Sequence, residues 1–104
     1  MNFHQAHVIA CVQDCLRNDE RLILFFFHHM KAELRLPPGE LLREARSLSR
    51  GEYILIQAAL DLWNGEGGLQ LIDAVNVLDD ENILSLVYAV LRFREIEFTE
   101  MISC

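Results

Sequence analysis

Apolar residues recur at helical spacing along almost the whole chain, and helix stop and start signals separate the segments. The first predicted helix, from about Phe3 to Arg17, ends at Asn18-Asp19, and these two residues can cap the next helix. The second continues to about Leu34, because Pro37-Pro38 lacks the N–H groups that a helix needs and restricts the preceding residue. The pattern predicts an antiparallel helical hairpin at the N-terminal end.

Four further helices are predicted, over about 40–48, 50–64, 70–78 and 80–95. Ser49-Arg50-Gly51-Glu52 has the form of a capping box, Asn64-Gly65 suits a left-handed helix end, and Asp79 can cap the last helix. We therefore predict an all-α fold, a compact bundle of about six helices, three long and three shorter. Residues 1–104 are expected to form one domain, with 96–104 as a tail that frays unless something covers it.

The run Leu22–Phe27 consists of six apolar residues, which cover the whole circumference of a helix. Such a segment must be enclosed by its own fold or by a second chain, so the second helix is predicted to be central. The sixth helix has an apolar arc almost as wide and is also predicted to be central. Hydrophobic residues make up 52% of the chain, which favours a homodimer. The large aromatic residues are the predicted interface, since they contribute most contact energy: Phe25, Phe26, Phe27, Phe93 and Phe98.

Cysteine usage and hydropathy indicate a soluble, cytoplasmic protein. The chain has three cysteines, an odd number that favours a reducing compartment over a disulfide framework. No apolar run approaches the roughly 20 residues of a membrane helix, and residues 1–10 lack the basic start and apolar core of a signal peptide. No membrane association is expected.

The charge is unevenly distributed. Residues 1–50 carry a formal charge of +1 and residues 51–104 carry −8, which together give −7. A nucleic-acid-binding protein normally presents a basic face, so direct binding of nucleic acid is not expected. A solvated acidic surface explains the excess most simply, and an acidic inhibitor of a nucleic-acid-acting protein is an alternative.

A transition-metal site is a second alternative. If the predicted hairpin forms, residue 7 lies opposite residue 30, which brings His4 and His7 to the same end as His28 or His29. Cys11 lies on the same stripe of the first helix as His4 and His7. Imidazole and thiolate are ligands that Zn²⁺ prefers, so His4, His7, Cys11 and His28 form the candidate metal set. The competing interpretation is that Cys11 and Cys15 are small core residues.

No arrangement of residues indicates an active site. Cys11 with His7 is the one nucleophile–base pair at helical spacing, and nothing nearby supplies an oxyanion hole. The glycine-rich segment 65–68 lacks the Lys and Ser/Thr of a phosphate-binding loop. We therefore expect a non-catalytic protein–protein interaction or regulatory module, without a cofactor, that associates with itself or with a protein partner.

Overall fold

A computed structural model describes residues 3–95, with the side chain of Phe3 excepted, and shows six helices. The predicted all-α bundle with three long and three shorter helices is confirmed. The predicted tail, 96–104, lies outside the described residues. The helices are α1 (Phe3–Cys15), α2 (Glu20–Phe26), α3 (Pro38–Ala45), α4 (Arg50–Asn64), α5 (Leu71–Val77) and α6 (Asp80–Phe93).

Side-chain caps fix the predicted helix starts. Asp19 accepts a hydrogen bond from the Arg21 amide at the start of α2, and Asp79 accepts one from the Asn82 amide at the start of α6. Ser49 and Glu52 form both hydrogen bonds of a capping box at α4. Because these bonds satisfy amides that lack a partner within the helix, they set the boundaries locally.

The second helix is shorter than predicted, because it ends at Phe26 and not at Leu34. Phe27 is extended and pairs with Leu34 in an isolated antiparallel bridge. Arg35 closes this loop: its amide donates to the Phe26 carbonyl at 2.9 Å and its Nε donates to the Phe25 carbonyl at 2.7 Å. The carbonyl groups at the end of α2 thus accept hydrogen bonds from Arg35 in place of the next helical turn. The helix can therefore end at Phe26 without leaving these carbonyls unpaired.

The central helix is α4, so the prediction that α2 and α6 are central was wrong. α4 contacts each of the other five helices. It contributes the largest group of buried residues, Ile54, Leu55, Ile56, Ala58, Ala59 and Leu60, whereas α6 fully buries only Ser85 and Ala89. The small side chains of Ala58 and Ala59 allow neighbouring helices to approach closely, which apolar periodicity alone does not reveal.

Candidate functional site

An exposed apolar surface covers one side of α5 and α6. Six aliphatic side chains form it, and we call it the α5–α6 face. In α5 these are Leu71, Ile72 and Val75, at 74%, 59% and 59% exposure, and in α6 they are Leu84, Val87 and Val90, at 54%, 41% and 47%. Four of the six, Leu71, Val75, Val87 and Val90, line one groove. Clustered exposed apolar side chains on a small protein typically mark an interaction site.

A groove of about 380 Å³ runs through the α5–α6 face. Ala58 and Leu62 of α4 line its base, Leu71 and Ala74 line it from α5, and Val87 lines it from α6, together with other residues of these helices. A small-molecule site usually adds a few polar groups to orient its ligand. Within the described residues, the lining of this groove is almost entirely apolar, which favours the apolar surface of another protein.

Side chains of α4 hold the loop between α4 and α5 in place at one end of the groove. The Asp61 carboxylate accepts hydrogen bonds from the amides of Gly67 at 2.8 Å, Gly68 at 3.1 Å and Leu69 at 3.0 Å. Gln57 Nε2 donates to the Gly67 carbonyl at 3.2 Å. Asp61 is the one acidic residue that lines the groove in residues 3–95, and its role here is to bind loop amides.

The residues of the candidate metal set are only partly brought together. His7 Nε2 lies 4.0 Å from Cys11 Sγ and donates to the Phe93 carbonyl at 3.3 Å. His4 lines a small pocket with Trp63, whereas His28 lines a different pocket. Within residues 3–95, no three His, Cys, Asp or Glu side chains form a group that could hold a metal ion.

These histidines and cysteines also have local partners of their own. The His28 ring accepts a hydrogen bond from the Met30 amide at 3.0 Å and stacks on His29, with the ring centroids 4.8 Å apart. Burial raises the pKa of the Cys11 thiol. Burial also raises the pKa of Cys15, to about 12. Both cysteines are 0% exposed and are described as core residues.

The predicted aromatic interface is mostly enclosed by the chain itself. Phe26 and Phe27 are buried, and each packs edge-on against Trp63, with ring centroids 6.0 Å and 5.8 Å away. Phe25 is half-buried beneath the Arg35 guanidinium. Phe93 is 38% exposed and lies beside His7. Phe98 lies outside the described residues. Among the four described phenylalanines of this set, Phe93 is the most exposed.

The sequence itself contains a signal that some apolar residues of α5 are exposed. α5 has seven residues, and five of them are Leu, Ile, Ala or Val. Apolar side chains therefore point in almost every direction from a short helix, as they do in the Leu22–Phe27 run. One neighbouring helix, α4, cannot cover all of them.

Acidic side chains gather where three helices begin. One polar pocket lies at the starts of α2, α4 and α6. Its acidic lining residues are Asp19, Glu52, Asp79 and Glu81. A hydrogen bond from Arg21 lowers the pKa of Asp19. Negative charge is favourable at helix N-termini, which accounts for these acids structurally. The acidic-inhibitor alternative stays a prediction.

Comparison with known proteins gives no family: no family model, no curated protein and no solved structure matches this chain. None of the helices within residues 3–95 combines the length and the apolar content needed to cross a bilayer.

Proposed function

We propose that this protein is a small, non-catalytic helical interaction module that forms a homodimer through the α5–α6 face. The observation that supports this proposal is the exposure of six aliphatic side chains on two adjacent helices, with an apolar groove between them. Covering these side chains removes apolar surface from water, which is the main driving force for protein association.

The charges that border this face favour a second copy as the partner. Asp80 lies at the start of α6 and Arg94 follows its last residue, and both are exposed. A surface with opposite charges at its two ends becomes complementary to itself when it is turned by 180°. A dimer would thus combine apolar contact with favourable charge placement.

The dimer is expected to be reversible. The core of one chain is already closed, since Phe26, Leu41, Ile56 and Leu60 are each 0% exposed without a partner. We therefore propose that the chain folds without the second copy, so that mass action sets the dimer fraction. Concentration would then control the activity of a regulatory or scaffolding surface.

A cytoplasmic location is part of the proposal. Cys11 and Cys15 are both buried and free, and neither is held in a disulfide. Free buried thiols are typical of proteins in a reducing compartment.

Light scattering on the full-length chain and two variants tests the function. Val75→Glu places a charge in the α5–α6 face, at a side chain that is 59% exposed, and is expected to shift the protein to monomer. The matched control is Met30→Glu, which changes an apolar residue that is 76% exposed but lies outside the face, and it should leave the dimer intact. Equal masses for wild type and both variants would contradict the proposal.

A further inference from the structure

One line along the exposed side of α6 carries an acid, an apolar residue and a base at equal spacing. Asp80, Val87 and Arg94 are spaced seven residues apart. Because an α-helix drifts by only about 20° per heptad, the three side chains lie on one line along the helix. Val87 is the midpoint, with Asp80 about 10 Å towards one end and Arg94 about 10 Å towards the other, at 1.5 Å per residue.

This line faces away from the protein core. Ser85 and Ala89, on the opposite side of α6, are 0% exposed, whereas Leu84, Val87 and Val90 are among the exposed apolar residues. The helix therefore presents to solvent an apolar stripe with an acid at one end and a base at the other.

Both end charges are available for an intermolecular contact. No ion pair within residues 3–95 involves Asp80 or Arg94. The neighbouring arginine of α6 differs in this respect, because Arg92 Nε lies 2.8 Å from the Asp14 carboxylate and thereby links α6 to α1.

We infer that α6 pairs antiparallel with α6 of a second copy across a two-fold axis at Val87, so that Asp80 of each copy faces Arg94 of the other. This inference rests on the proposed function, because it specifies how the α5–α6 face associates. The equal spacing on either side of Val87 gives both ion pairs in a single register. A parallel pairing would instead place Asp80 against Asp80 and Arg94 against Arg94.

The same register also matches the apolar residues. Antiparallel pairing about Val87 places Leu84 of one copy beside Leu91 of the other, and Ile83 beside Val90. The two Val87 side chains meet at the axis. The two-fold axis keeps both α5 helices on the same side of the α6 pair.

Charge reversal on full-length protein tests this register, with the dissociation constant measured by sedimentation. Asp80→Arg alone, or Arg94→Asp alone, replaces two attractive pairs by two repulsive pairs and is expected to weaken the dimer by about tenfold or more at low salt. The double variant restores opposite charges in the reverse sense and is expected to recover the wild-type constant within about threefold.

A mixture of the two single variants provides a second, independent arm. In the mixed dimer the introduced arginine faces the introduced aspartate, while the native Arg94 of one chain faces the native Asp80 of the other. We therefore expect the mixture to associate more tightly than either variant alone, with a difference that shrinks at high salt.

The matched control is Glu81→Arg, which makes the same charge change at the next residue, off the Val87 line, and should leave the dissociation constant near that of wild type. The double variant controls for the helix ends, because it carries both unfavourable terminal charges. Thermal melts of each variant confirm folding.

Three results would overturn the inference. If the face associates but the single variants match wild type, or if the double variant and the mixture show no recovery, the register is wrong and the proposed function stands. A wild type that remains monomeric at every concentration, as expected if residues 96–104 or an unrelated protein cover the face, overturns both.

Discussion

The backbone carbonyl of Gln57 occupies the space that a side chain on Gly67 would need. This close approach holds the α4–α5 loop against α4 and thereby places α5 at the edge of the apolar groove. A methyl group at position 67 would have to displace backbone, which is costlier than moving the end of a flexible side chain.

Gly67→Ala is therefore expected to lower the free energy of unfolding by about 3 kcal/mol, measured by urea denaturation. Gly51→Ala is the matched control, because a side chain there meets nothing within 4 Å and the residue lies within α4. That variant should be neutral or more stable by up to about 1 kcal/mol. Equal stability of the two variants would show that the loop does not approach α4 this closely.

Phe26→Ala is expected to lower the free energy of unfolding by about 3 to 5 kcal/mol, because it leaves a cavity at a residue that is fully buried beside Trp63. Leu24→Ala changes the same helix at a residue that is 64% exposed, and its effect should stay within about 0.5 kcal/mol. A small effect at Phe26 in denaturant melts of the monomer would mean that this ring is not enclosed by its own chain.

Cys15 is expected to be nearly inert towards iodoacetamide in the native protein. Burial raises its pKa to about 12, and the thiolate is the reactive form, so alkylation near pH 8 should be about a thousandfold slower than in the unfolded chain. Peptide mapping by mass spectrometry separates Cys15 from the other cysteines. Alkylation of native Cys15 at the unfolded rate would contradict its burial.

Local signals account for the parts of the fold that could be predicted from sequence. The caps at Asp19, Ser49 and Asp79 each depend on residues within three positions, so they can be recognised before any tertiary contact is known. One contact agrees with the expected reversal after α1: Gln5 donates to the Ala32 carbonyl, close to the expected pairing of residues 4 and 33, although residue 32 lies beyond the end of α2.

The parts that could not be predicted depend on distant partners. The end of α2 requires Arg35 to satisfy the carbonyls of Phe25 and Phe26, and this contact crosses a loop. The α5–α6 face was missed because apolar spacing shows which side chains favour burial but not whether a neighbour exists to cover them. Leu71 and Val87 fit a buried pattern and are nevertheless exposed.

Sedimentation equilibrium of the unmodified full-length protein, from micromolar to near-millimolar concentration, tests most directly whether the α5–α6 face binds a second copy. We expect the weight-average mass to rise from the 12.0 kDa of one chain towards twice that value as the concentration increases. A mass that stays at 12.0 kDa across the whole range would contradict the account.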